Sequence, residues 1–256
     1  MSSARRLAVP VAAALIGSLL VIPVVVLVVR ALTGGAALDP SIVDALRLSL
    51  VTTTASLILT LTLGTPLAWV MARRRLPGRG VVEALVDLPI VLPPAVAGLS
   101  LLLALGRRGP AGALGLEVAF TTLAVVLAQT FVAAPFYIRA ARGAFATRHR
   151  DLEDAARMDG ADQWAIFRTI VVPLAGPVLA GGAILAWARA LGEFGATIMF
   201  AGNVSGVTQT LPLAVYAEFQ SSLDASVAAA AILVGAAFAI LVGVRLLRVD
   251  AAPDDA

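Results

Sequence analysis

Lysine and cysteine are absent from these 256 residues, histidine occurs once, and charged residues make up only 14%. Each shortage removes a class of chemistry. Without cysteine there is no disulfide framework, no thiolate metal site and no cysteine nucleophile. Without lysine a standard phosphate-binding loop cannot be built, so the chain does not bind ATP by that route. The single histidine, His149, stands between Arg148 and Arg150 and reads as a solvated loop residue rather than a ligand. An ordinary soluble domain carries about 25% charged residues, whereas here 60% of residues are hydrophobic, the composition of a membrane protein. All 19 basic residues are arginines, and they cluster at the ends of apolar runs rather than on one basic face. That is the pattern of membrane topology, and no nucleic-acid partner is expected. No hydrolytic or redox constellation is visible, so the chain reads as a non-catalytic subunit with no cofactor and no metal.

Six apolar runs divide the chain. The first, Leu7 to Val29, is longer than the roughly 7 to 15 residues of a secretory signal core and reads as a retained span. The second covers about Leu48 to Ala72 and carries a threonine run, Thr52 to Thr54, with Gly64-Thr65-Pro66 further on. The third, about Leu85 to Leu105, holds Pro89, Pro93 and Pro94, which forbid a regular helix in its first half. Two readings fit those prolines. Irregular backbone at membrane depth survives where it is buried in protein or lines a wet cavity, making Pro93 and Pro94 candidates for a pathway wall; alternatively they lie in a lead-in and the helix starts near Ala95. The remaining runs are about Val118 to Ile138, Leu174 to Phe200 and Ala225 to Leu247, with a short interfacial helix expected over Pro212 to Phe219. Gly181-Gly182 in the fifth run suits close helix approach. The acidic end, 249–256, is expected to be disordered.

Six spans put both termini on one side of the membrane. If that side is the cytoplasm, fourteen arginines lie inside, four (Arg30, Arg47, Arg107 and Arg108) lie outside, and Arg189 lies within a span. This bias places N and C termini in the cytoplasm.

The same bias puts the longest charged, helix-competent stretch in the cytoplasm: Asp151 to Pro173, DLEDAARMDGADQWAIFRTIVVP. Asp151, Glu153 and Asp154 load its first turn with negative charge, which suits a helix N-terminus. Gly160 predicts two short helices meeting at a bend. Trp164, Ile166, Phe167 and Ile170 supply a second, partly apolar turn, and Pro173 closes it. Such helices cannot bury a core of their own, so a partner protein is implied.

Asp154-Ala155-Ala156, then Gly160, then Ile170-x-Val172-Pro173 resembles the EAA loop of ATP-binding-cassette importer permeases. Asp154 stands for the usual Glu and Val172 for the usual Leu; the spacing is intact. The resemblance implies a coupling helix seated in a cleft of a cytoplasmic ATPase subunit, with Glu153, Asp154, Ala155, Ala156, Gly160, Trp164 and Phe167 as the coupling residues.

The most unusual charges in the apolar part are Arg189 and Glu193. Each placed alone at mid-bilayer costs about 2.5 to 3.5 kcal/mol, and a spacing of four puts them on one helical face where they can pair. Two readings stand: an internal or interfacial ion pair with no contact to cargo, or a pathway wall thinned by Gly192 and Gly195. Gly192-Glu193-Phe194-Gly195-Ala196-Thr197 with Gly202-Asn203 is similar to the fifth-span signature of molybdate and tungstate permeases, and less closely to that of sulfate permeases. LPIVLPPAVAGLSLLL and AQTFVAAPFYIRAA point the same way. The resemblance implies pathway or gate roles for Pro93, Pro94, Arg189, Gly192, Glu193, Phe194, Gly195 and Thr197.

The expected whole is an all-α integral membrane protein of the type I ABC importer permease architecture. It has one permease domain, 1–248, carrying the coupling loop 151–173. The expected assembly is a lipid-embedded homodimer with two copies of an ABC ATPase and an extracytoplasmic oxyanion-binding protein. The rivals are a sulfate or thiosulfate permease, a self-sufficient secondary transporter using Arg189 and Glu193 for ion coupling, and a non-transporting scaffold.

Overall fold

A computed structural model describes residues 3–34, 39–73, 77–147 and 150–249. Among the described residues there is no strand. Five helices are long and apolar enough to cross a membrane, and a pair of shorter helices joined at a sharp bend brings the number to six if the pair counts as one span. In order they are α1 (Ser3–Thr33), α2 (Pro40–Arg73), the pair α3 (Arg79–Val91) and α4 (Pro94–Leu105), a single turn α5 (Pro110–Ala113), and α6 (Thr122–Ala146). There follow α7 (Arg150–Met158), α8 (Gln163–Ile166), a π-helix (Phe167–Val171), α9 (Val172–Leu191), α10 (Gly195–Phe200), α11 (Leu211–Phe219) and α12 (Leu223–Val249).

Hydropathy located the spans and missed their ends. α2 begins eight residues before the apolar run because Asp44 and Arg47 continue the helix into the polar zone. The third run is cut at Leu92 and Pro93, where the two halves bend by 117°. Pro94 opens α4 at its first turn, where a missing N–H costs nothing. The fifth run is also cut: α9 stops at Leu191 and helix resumes only at Gly195. A short helix, α11, stands where one was expected over Pro212 to Phe219. Of the end expected to be disordered, Val249 is helical, and 250–256 lie outside the described residues, as does His149.

α2 and α6 run side by side in the same direction, tied by Thr130 Oγ1 to Ser56 Oγ at 3.1 Å and by the Thr65 and Tyr137 hydroxyls at 2.6 Å. The threonine run satisfies itself, Thr52 bonding back to Leu48 O at 2.9 Å and Thr53 to Ser49 O at 2.6 Å. α9 lies against α6 so closely that a Cβ on Gly182 would fall 2.7 Å from the Ala140 Cβ, the close approach that this glycine was expected to allow. One core, with Met71, Tyr137, Phe145, Ile166 and Val171, fills the end where α2 and α6 finish. A second packs Ala97 of α4, Val125 and Val132 of α6, and Phe200 at the other end. Among its described side chains α1 contributes nothing buried, and the helix leans on α12.

Candidate functional site

The stretch from α7 to the start of α9 forms a joint at the end of α2. Glu153 in the first turn of α7 is buried, and both its oxygens are held: Arg73 Nη2 lies 2.9 Å from Oε1, while Arg73 Nη1 and Arg157 Nη2 donate to Oε2 at 3.1 Å. Burial alone would raise the Glu153 carboxyl, but hydrogen bonds and charge from Arg73, then Arg157, outweigh it and hold the group below the usual carboxylate value. The Arg73 guanidinium in turn sits 4.7 Å above the Trp69 ring. Arg157 also pairs with Asp154.

Gly160 makes the expected bend. Its φ of 86° is left-handed, and the Ala161 N–H reaches back to Ala156 O at 2.9 Å, which closes α7. Asp162 then caps α8 by accepting from Ala165 N at 2.7 Å. Beyond this point the expectation of two short helices fails. The second helix does not stop at Pro173; helical backbone continues from Gln163 to Leu191. The π-helix just ahead of Pro173 widens the turn, giving the proline ring and its missing N–H a place without breaking the rod. Phe167 is half-buried in an aromatic knot, 4.7 Å from Trp69 and 5.8 Å from Phe145, with Trp164 stacked on it at 5.5 Å.

Asp154, Ala155 and Gly160 face outward, Ala156 is half-buried, and Met158 and Trp164 are 89% and 66% exposed. Of the seven coupling residues expected from the sequence, Glu153 and Phe167 turn inward and fasten the joint, Ala156 packs against the core and Trp164 stacks on Phe167, while Asp154, Ala155 and Gly160 face outward. Arg73, Trp69 and Phe145, which do the fastening, were missed because they come from other elements with no local motif, Arg73 lying 80 residues before Glu153.

The second place is the pair of interrupted spans. Arg189 Nη1 and Glu193 Oε2 are 2.7 Å apart, with Glu193 1% and Arg189 30% exposed. The expected pairing is present, but the two do not share a continuous helix: Glu193 stands beyond the end of α9. Its other oxygen accepts from Ala196 N at 2.8 Å, so the carboxylate also caps α10. Gly192 ends α9 and is exposed, and Phe194 packs on Tyr216 of α11 at 5.2 Å. The break at Pro93 and Pro94 meets this one. A Cβ on Gly195 would lie 2.6 Å from Pro94 Cβ, and one on Gly98 only 2.5 Å from Ala196 O. Thr197 is buried beside this contact, its hydroxyl without a partner among the described residues. The structure thus brings together Pro93, Pro94 and the segment 192–197, which the sequence presented as two separate candidates. Gly98, the close-approach residue between them, was not singled out.

Removing Glu193 strands its partner. Glu193→Ala is expected to cost about 2.5 to 3.5 kcal/mol for an unpaired arginine in the bilayer, read as a several-fold loss of assembled protein in membranes. Arg189→Leu with Glu193→Gln, which keeps an acceptor for Ala196 N, is expected to recover most of it.

No group of three or more potential metal ligands occurs among the described residues. Residues 64–249 match the family described as binding-protein-dependent transport system inner membrane component. The chain is 45% identical over 211 residues to the molybdenum transport system permease protein ModB of Mycobacterium tuberculosis, covering 80% of this chain and 79% of that one. It is 39% identical over 203 residues to ModB of Escherichia coli K12, covering 77% and 89%. Its fold is similar to a chain of a bacterial ABC transporter that imports the acidic polysaccharide alginate, with a TM-score of 0.71, 16% identity, and 94% and 92% of the two chains covered. A chain of the MetNI methionine ABC transporter gives a TM-score of 0.58 at 20% identity, covering 83% and 95%. With its family match running from within α2 to the last residue of α12, the chain belongs to the inner membrane components of binding-protein-dependent transport systems.

Proposed function

We propose that this chain is the membrane-spanning permease subunit of an ATP-driven importer of molybdate or tungstate, with the cargo delivered by a separate extracytoplasmic binding protein. The cargo follows from the relatives, which include a molybdate/tungstate permease of Thermococcus kodakarensis, 41% identical over 163 residues and covering 64% of this chain and 62% of that one. The observation that carries the mechanism is the joint: α7 presents a bare outer face while its inner face is clamped to the end of α2 through Glu153 and Arg73. An element fastened on one side and uncovered on the other transmits a push. Two ATPase subunits closing on ATP would move Asp154, Ala155 and Gly160, and Phe167 would carry that motion into Trp69 and α9. Two copies of the chain would enclose the pathway, with α7 and both termini in the cytoplasm, as the arginine bias supports.

Where the two broken spans meet, Arg189 is the partly exposed member of a near-neutral pair, so an anion passing it meets little net charge. Glu193, buried, paired and capping, has no spare oxygen to bind a coupling ion, which weighs against the secondary-transporter reading.

The test is uptake of labelled molybdate into proteoliposomes holding this chain, the ATPase and the binding protein. Uptake should require ATP; uptake by the chain alone under a proton or sodium gradient would overturn the reading. In the same assay Gly160→Val, strained at φ 86° by about 1 to 2 kcal/mol, should lower uptake at least tenfold while ATP hydrolysis continues. Gly160→Asn, which tolerates that conformation, should retain it.

A further inference from the structure

A cleft of about 480 Å³ opens beside the aromatic joint, between the last turns of α2 and the start of the helical run that becomes α9. Thr62, Pro66 and Trp69 form one wall, and Trp164 and Phe167 the other. Its hydroxyls are already committed: Thr62 donates to Ile58 O at 2.8 Å, and Thr65 pairs with Tyr137 at 2.6 Å. The one further polar lining residue, Gln163, is exposed. The interior therefore offers mainly methyl and aromatic surface, with the Gln163 amide and the indole N–H groups of Trp69 and Trp164 as its remaining polar atoms.

Its depth identifies what it meets. The lining residues of α2 lie four to eleven residues before Arg73, about 6 to 17 Å along the axis at 1.5 Å per residue. That is the thickness of one leaflet's hydrocarbon, half of about 30 Å. Arg73 marks the polar boundary, and Arg74 and Arg75 follow it in the sequence. Arg168 comes four residues after Trp164 and so shares its face. It is exposed and in no ion pair among the described residues. Helical side chains lean toward the N-terminus of their helix, which sends this guanidinium back toward the polar boundary, as arginines near membrane surfaces do.

We propose that the cleft holds one acyl chain of an acidic phospholipid from the leaflet at the end of α2, with Arg168 holding its phosphate. Charge complementarity selects the headgroup, and the apolar walls take the chain. A second copy of this protein fits less well, because a helix with its side chains is about 10 to 12 Å across and would cover the cleft without filling it. A chain wedged between Trp69 and the stacked Trp164 and Phe167 would set the stiffness of the joint. The inference goes beyond the transport reading and does not depend on the cargo, so failed molybdate uptake and failed lipid binding are separate results.

Trp69→Phe with Trp187→Phe leaves Trp164 as the only tryptophan in the full chain. In bilayers containing phosphatidylglycerol brominated at mid-chain, Trp164 emission should fall at least threefold at low mole fraction and then saturate. Brominated phosphatidylcholine at the same fraction should quench at least twofold less. Arg168→Gln should erase that preference, and Thr62→Phe, which fills the cleft, should reduce quenching by both lipids. Native mass spectrometry of the unaltered chain should count one retained phosphatidylglycerol per copy, lost in Thr62→Phe, and does not depend on the tryptophan variants folding. Quenching equal for both lipids and linear in mole fraction would overturn the proposal, leaving an ordinary lipid shell. So would an unquenched Trp164 with Thr62→Cys copies cross-linking to each other, which would give the cleft to a second copy.

Discussion

Arg73→Ala should lower ATP-driven uptake at least tenfold and destabilise the chain by about 3 to 5 kcal/mol, the usual cost of leaving one member of a buried ion pair uncompensated. Both side chains are buried, and the Glu153 carboxylate would keep only Arg157, which is half exposed and shared with Asp154. Thermal unfolding in detergent reads the stability and proteoliposome uptake reads the coupling. Arg73→Met with Glu153→Leu separates the two, because a buried apolar pair often matches or exceeds an ion pair in stability. That double variant should regain the melting temperature but not the uptake, since methyl groups do not hold α7 at a fixed angle. The clamp also has a pH signature. The Glu153 carboxyl is depressed in the folded chain relative to its ordinary 4.5. Its contribution is therefore fully present above 4.5 and is lost as pH falls through the depressed folded value. The melting temperature of Arg73→Ala should lack that acid limb.

Gly98→Val should disable the chain through a different mechanism. The added Cβ would stand 2.5 Å from Ala196 O and 2.8 Å from Ala196 Cα. Both are backbone atoms, so no side chain can swing aside. Overpacking typically costs 1 to 3 kcal/mol, and a branched residue against a fixed backbone should cost about 3 kcal/mol or more, separating α4 from α10. A maleimide on Thr197→Cys, buried in the intact chain, should then react at least tenfold faster. Gly176→Ala is the control: its Cβ meets nothing within 4 Å, and alanine gains up to about 1 kcal/mol over glycine in a helix.

Hydropathy and charge made the spans, the bend at Gly160 and the short α11 readable in the sequence, because each depends on residues close together in the chain. The partners of those residues did not. Glu153 looked like one of three acids loading a helix start, and only the fold brings the end of α2 to it from 80 positions away. Pro173 looked like a terminator because proline usually is one; a preceding π-helix let the rod run through it. Arg189 and Glu193 were placed on one helical face by counting, yet the chain leaves the helix between them and the pair survives because four residues bring the side chains together in either geometry. Pro94 was marked as a break and Gly195 only as thinning a helix wall, and that the two meet is a tertiary fact, carried by the missing side chains of Gly195 and Gly98.

The wide turn at Phe167–Val171 has a consequence for how the lever is set. A π-turn bonds each N–H one residue further back than an α-turn, and one residue is about 100° of rotation on a helix of 3.6 per turn. The orientation of Trp164 and of everything upstream is therefore offset from the membrane rod by slightly more than a right angle relative to an unbroken α-helix. Those five residues act as a vernier: they fix the azimuth at which the cytoplasmic arm leaves the rod, and a single-residue change in their number would turn the arm to a different compass bearing.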